Sequence, residues 1–335
     1  MDEKYPPYTI TDKMLNYVSE ISGKIIKIDY INLNKKPELR KQSRINSIYS
    51  SLAIENNPLS LKQVEDVING KIVMAEQKDI QEVKNAYKAY EELEKVNPYS
   101  IEDLKRLHGI MTFLIEDDAG KFRNHGEAVY NGDVMIFMAP PENMVPTLMD
   151  NLFNWMKEAQ DKVHPLILSS VFHYEFVFIH PFSDGNGRMA RLWQTALLSE
   201  WEEAFEYMPI ENLIKKHQQE YYKAINDCDK AGNSNIFIEF MLKMIDETID
   251  RLIEESEDLN LSDKFSEKLE GLKDTEKMVL RYIAEKKEVG TTEIARYIGK
   301  TDRTARRIVA KLEEKGLITW KGENEKDPNK KYILK

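Results

Sequence analysis

His180-Pro-Phe-Ser-Asp-Gly-Asn-Gly-Arg-Met-Ala-Arg191 sets a base, a carboxylate, two glycines, an amide and two arginines within twelve residues. The run before it, Pro165-Leu-Ile-Leu-Ser-Ser-Val-Phe-His-Tyr-Glu-Phe-Val-Phe-Ile179, predicts a buried helix with proline in its first turn. Arg191-Leu-Trp-Gln-Thr-Ala-Leu-Leu-Ser-Glu-Trp201 predicts a second helix of the same character. The polar dozen is therefore a helix-loop-helix junction pinned by core on both sides. Pro181 closes the first helix, and Gly185 and Gly187 let the backbone turn and approach a ligand. The second helix begins near Gly187, so its free N–H groups and dipole favour an anion in the loop. Arg188 and Arg191, three apart on one helical face, are two forks for phosphate oxygens.

HPFSDGNGRMAR resembles the signature of the Fic family, HPFx(D/E)GNGRxxR, at every specified position. The resemblance implies a mainly α Fic-fold core and transfer of AMP from ATP to a hydroxyl of a target protein, itself included. It makes His180 the general base, a task its near-neutral pKa suits. It makes Asp184 the ligand of a Mg²⁺ bridging the α- and β-phosphates, and Asn186 with the N–H groups near Gly185 and Gly187 the phosphate cradle. Arg188 would grip the β-phosphate and Arg191 the γ-phosphate. The Doc branch of the fold, a phosphotransferase, carries Lys in place of the second glycine of GNG. Gly187 therefore favours AMP transfer over γ-phosphate transfer.

Ser51-Leu-Ala-Ile-Glu-Asn-Asn57 matches a second pattern of that family, (S/T)xxxE(G/N)N, an inhibitory motif. Ile45, Ile48 and Leu52 recur at helical spacing, and Asn56-Asn57-Pro58 stops the helix. A glutamate in a terminal turn, Glu55, sits poorly with the dipole and wants a cation elsewhere. The resemblance names that cation as Arg191, so that Ser51, Glu55 and Asn57 belong to a segment blocking the γ-phosphate. In some relatives such a glutamate activates water to remove AMP, which leaves de-AMPylation open for Glu55.

Val129-Tyr130 and Val134 to Phe137 flank Asn131-Gly132, a strong hairpin signal. The hairpin (128–141) resembles the Fic flap, with Val134, Met135 and Ile136 docking an extended target segment by strand addition. Tyr221-Tyr222 falls on a helix that runs near the nucleotide in that fold, and Tyr222 offers an aromatic face to adenine.

A chain of 335 residues accommodates more than one domain, and its net charge of −10 is unevenly spread. From Asp263 onward there are 19 basic and 14 acidic residues, a net of +5 that leaves −15 for the remainder. The division read from this is an N-terminal helical region (1–100), a catalytic core (101–255), an acidic linker (256–266) following a helix from Ile236 to Glu255, and a tail (267–335). The tail orders helix, helix, turn at Gly299, helix and two strands, which resembles a winged helix-turn-helix of α+β type. Thr301 caps its last helix, and Arg303, Arg306 and Arg307 face outward toward DNA. Dimerisation or docking of a protein target are other uses of such a module. No apolar run reaches the length of a membrane span, and a single Cys228 excludes an internal disulfide, so a cytoplasmic location without membrane contact is expected.

Overall fold

The computed structural model describes residues 5–31, 37–131, 134–269, 271–322, 327 and 330–335, with backbone alone for 27–31, 129–131, 134–137 and 256–267. It divides into two compact units, residues 1–254 and 255–335. In chain order the first unit holds α1 (Asp12–Ile31), α2 (Pro37–Ile54), α3 (Leu61–Ile68), α4 (Gln77–Glu91), α5 (Ile101–Met111), β1 (Ala128–Asn131) and β2 (Val134–Met138). Then follow α6 (Val145–Ala159), α7 (Pro165–Ile179), α8 (Asn186–Trp201), α9 (Ile210–Lys216), α10 (Gln218–Ala231) and most of α11 (Asn235–Leu269).

α7 is mostly apolar and buries nearly all its residues because it lies between two cores. Leu168, Phe172, Phe176 and Ile179 enter one, together with Phe153, Trp193 and Phe182. Leu166, Ile167, Val171 and Tyr174 enter the other, with Phe205, Phe237 and Met241. Each large side chain so buried contributes about 2–3 kcal/mol. α8 packs along α7 through Met189, Leu192 and Trp193, so the loop between them hangs from the most buried helices of the unit. α2 is docked in the same way, with Ile48 and Leu52 in the first core and Ile54 in the second.

β1 and β2 pair antiparallel in the expected hairpin, with an irregularity between Val129 and Tyr130. The turn residue Gly132 lies outside the described residues, as do the side chains of Val134, Met135 and Ile136.

The second unit contains α12 (Asp274–Lys286), β3 (Val289–Gly290), α13 (Thr291–Tyr297), α14 (Asp302–Glu314), β4 (Ile318–Lys321) and β5 (Lys331–Leu334). Its strands run β3-β5-β4, all antiparallel. Val279, Leu280, Ile283, Ile294, Ile308, Leu312, Ile318 and Tyr332 form its own core. Thr301 caps α14, accepting from the Thr304 N–H. Two features differ from the sequence reading. β3 escapes a reading by periodicity because two residues carry no pattern. The acidic segment read as a linker is helical, since α11 continues to Leu269. Charge and serine do not stop a helix; residues 254–269 contain neither Gly nor Pro, and the first breaker is Gly271.

Candidate active site

α7 ends where His180 takes a left-handed conformation, φ 50° and ψ 60°. A non-glycine residue there carries strain that the surroundings must offset. Arg123 does so, donating from Nε to the His180 carbonyl at 2.7 Å and from Nη2 to Ile179 at 3.3 Å and Pro140 at 2.6 Å, with Nη1 on His125 at 2.8 Å. One buried guanidinium thus ties the end of α7 to the residue closing the hairpin. Arg123→Met leaves these carbonyls without their donor, and urea unfolding is expected to register a loss of at least about 3 kcal/mol. A loss under about 1 kcal/mol would remove this role.

The His180 ring is half-buried, and its Nδ1–H reaches the Val177 carbonyl only at 3.4 Å, leaving Nε2 as the basic nitrogen. Burial pulls its pKa below the ordinary imidazole value, against opposing pulls from the Val177 carbonyl and the charges of Glu127 and Glu55. The ring is therefore neutral near pH 7.

The loop after it is shaped by its own polar groups. The Asn186 amide donates to the Phe182 carbonyl at 2.7 Å and accepts from the Phe182 N–H at 2.9 Å. Its side chain, expected from the resemblance to belong to the phosphate cradle, closes the loop around it. Gly185 takes φ 79°, and a Cβ there would press on Thr112 at 3.2 Å. Phe182 stacks on His108 with centroids 3.6 Å apart. His108 accepts from the Gly120 N–H at Nδ1, so its Nε2–H donates to the Asp184 carbonyl at 2.9 Å. Burial lowers the His108 pKa to about 4, which keeps it a neutral strut.

Arg188, itself buried, holds Asp184 at 2.8 Å. Burial pulls the Asp184 carboxyl up, but the Arg188 charge and the Gly185 N–H outweigh it and leave the group below its ordinary pKa. The ionised side chain is 41% exposed. Among the described residues no group of three or more His, Cys, Asp or Glu side chains could cage a metal. One accessible carboxylate beside a phosphate loop fits a Mg²⁺ that arrives on a nucleotide, since that ion takes few protein ligands and many phosphate and water oxygens.

Arg191 is engaged from α2. Its Nη2 meets Glu55 Oε1 at 2.7 Å and the Ser51 carbonyl at 3.0 Å, while Nε donates to Ser51 Oγ at 3.0 Å. The pair is lopsided: the arginine side chain is 1% exposed and the glutamate side chain 36%. A Cβ at position 187 would run into the Glu55 carboxylate and press on Arg191 Nη1 at 3.2 Å. Gly187 is therefore the space in which the glutamate sits. Asn57 donates to Glu82 Oε2 at 2.8 Å and accepts from the Leu59 N–H at 3.1 Å. Glu82 in turn lies 3.6 Å from Arg188 through its other oxygen. The Tyr222 hydroxyl and Gln218 Nε2 donate to the Ile54 carbonyl at 3.3 and 3.0 Å. Tyr222, expected from sequence to offer its ring to adenine, ties the end of α2 through its hydroxyl and leaves its ring half-exposed.

Glu82, His108 and Gln218 escaped the sequence reading because none lies in a motif and each meets partners distant in the chain. Arg123, in the polar turn Gly120-Lys-Phe-Arg123 before the hairpin, offered itself from sequence for structure or for phosphate, with neither use decided. In the second unit Arg303, Arg306 and Arg307 are exposed on α14, and among the described residues none pairs with a carboxylate.

Residues 98–198 match the model of the Fic/DOC family, and residues 270–318 match a helix-turn-helix domain. A Fic family protein of Desulfovibrio desulfuricans G20 is 34% identical with a TM-score of 0.71, over 99% of this chain and 98% of that one. A Fic domain-containing signalling protein of Bacteroides thetaiotaomicron, at 21% identity and a TM-score of 0.57, covers 73% of this chain and 98% of its own and shares the fold. Among curated proteins, "Protein adenylyltransferase Fic" of Nematostella vectensis is 26% identical over 72% of this chain and 56% of its own length. The protein of that name from Culex quinquefasciatus is 29% identical over 63% of this chain and 42% of its own. The chain spans about half the length of these curated relatives. A full-length likeness at 34% identity, centred on a loop that carries the signature in full, establishes that this chain belongs to the Fic family.

Proposed function

We propose that the chain transfers AMP from ATP to a Ser, Thr or Tyr hydroxyl of a protein, itself included, and that Glu55 holds this activity low. The observation that carries the reading is the 2.7 Å contact of Glu55 with Arg191, made in the space beside Gly187. His180 Nε2 takes the hydroxyl proton as the oxygen bonds to the α-phosphorus; the bond from that phosphorus to the bridging oxygen breaks, and pyrophosphate leaves. The N–H groups opening α8 and the guanidinium of Arg188 face the charge that develops on the phosphates. A Mg²⁺ held by Asp184 would neutralise phosphate charge. With Arg191 occupied by Glu55, the γ-phosphate has no fork, and ATP is not held in the pose that lines up its α-phosphorus. The hairpin supports a target segment added at its edge, which needs main-chain groups more than a particular sequence.

The test is the position of the label. The Glu55→Gly variant is expected to label itself from α-³²P-ATP and not from γ-³²P-ATP. Label from the γ position would replace the reading with phosphotransfer.

A second reading applies to residues 270–318 by a separate observation, the three exposed arginines of α14. They suit phosphate and base edges of a DNA major groove. In a mobility shift the full chain is expected to bind duplex DNA at low salt. Replacing Arg303, Arg306 and Arg307 by alanine is expected to reduce the slope of log K against log salt by about 2–3. An unchanged slope would assign the module to protein contacts.

A further inference from the structure

The lopsided Arg191–Glu55 pair poses a physical problem. Withdrawing Glu55 leaves a fully buried guanidinium whose front partner has gone into water, a costly state unless another group compensates it. The structure contains such a group beside the same arginine. Arg191, Gln194, Thr195, Ile210, Glu211 and Ile214 line a small cavity. Three polar atoms on these side chains, Arg191 Nη1, Gln194 Nε2 and Glu211 Oε2, are buried and have no hydrogen-bond partner among the described residues. Glu211, on α9, is 2% exposed, and its other oxygen accepts from the Tyr90 hydroxyl at 2.9 Å.

We infer that Glu211 is the standing counter-charge of Arg191, acting across this cavity through a bridging water, and that it keeps the guanidinium in place when Glu55 leaves. Two donors and one carboxylate oxygen around a space of this size form a site for a single water. A water there accepts from Arg191 and Gln194 and donates to Glu211, which satisfies all three atoms at once. Burial raises the Glu211 pKa, and its own backbone N–H, Ser47, Tyr90 and the charge of Arg191 offset part of that rise. Arg191 would thus stand between two carboxylates, a movable one at the solvent edge and a fixed one behind. Glu211 is a positioning residue that acts on the loop through the arginine. Its importance for catalysis rests on the proposed role of Arg191 at the γ-phosphate, but the charge pairing does not.

The experiment is a thermal cycle on the full chain without nucleotide. Glu211→Gln keeps the size and the acceptor for Tyr90 but removes the charge. Glu55→Gly and Glu211→Gln are each expected to lower Tm by about 2–4 °C. The double variant should fall by at least about 5 °C more than the sum. Adding Arg191→Met to the double variant should recover that excess, because a buried cation is then no longer present to be compensated. An additive double variant, or a triple variant without recovery, overturns the inference. If the double variant cannot be obtained folded, a folded triple variant supports the inference and an unfolded one counts against it. ATP, but not AMP, should also raise the Tm of the double variant, as the γ-phosphate replaces the lost carboxylates. Failure of that arm alone, with the Arg191→Met recovery intact, overturns the phosphate role of Arg191 and leaves the counter-charge standing.

Discussion

His180→Ala is expected to lower the rate of AMP labelling by about 10³-fold while leaving ATP affinity within about twofold of the parent. The comparison belongs in the Glu55→Gly background, where the phosphate fork is free and Glu55 is not available as a substitute base. The split between rate and affinity follows from position. His180 ends α7, whereas the groups proposed to face the phosphates begin α8, in a loop closed on itself through Asn186 and His108. Removing the ring takes away a proton acceptor without opening the loop. The pH profile gives an independent check. Burial lowers the His180 pKa, so the basic form dominates at neutral pH and the rate should be level there. It should fall only as pH drops below the ordinary imidazole value, in step with protonation of Nε2. A residual rate near that of the parent, or an acid limb unchanged by the substitution, would assign the base to another residue.

Glu55→Gly is expected to raise self-labelling from α-³²P-ATP by about 5- to 150-fold, the range a coupling of about 1–3 kcal/mol produces. The effect is bounded on both sides by the geometry. It cannot be small if the fork is needed, because Glu55 takes the Nη2 of Arg191 and the volume beside Gly187. It cannot approach the full catalytic factor either, since a carboxylate that is 36% exposed can leave spontaneously for water part of the time. Ser51 retains its two contacts to Arg191 in the variant, so the arginine is partly held from α2 even then. Labelling that does not change would separate the ion pair from regulation altogether.

The parts of this molecule that could be read in advance are those whose physics is local. Pro165 to Ile179 is a helix from end to end because its apolar run is bounded by a proline that can start a helix and one that cannot continue it. The hairpin followed from Asn131-Gly132 between two β-forming pairs, and α2 from apolar spacing that ends ahead of Pro58. The end of α11, expected at Glu255, falls at Leu269 because composition was taken as a break where no residue breaks a helix.

Side chains within the motifs divide differently. The types at His180, Asp184, Arg188 and Arg191 already limited the loop to anion and phosphate chemistry, since a base, a carboxylate and two forks on one glycine turn have few other uses. Which of them face outward was decided by packing. Asn186 is turned onto Phe182, Tyr222 onto the end of α2, and Arg123 onto the carbonyls that close α7, each meeting a partner chosen by the fold. Glu211 carries no signal in its neighbourhood; only the packing of α9 on α2 brings a carboxylate to the cavity behind Arg191. Spacing along a helix specifies which residues share a face and what chemistry that face can offer. Hydrogen bonds and counter-charges depend on separations of a few ångströms between residues as much as 168 positions apart, and those distances exist only once the helices have packed.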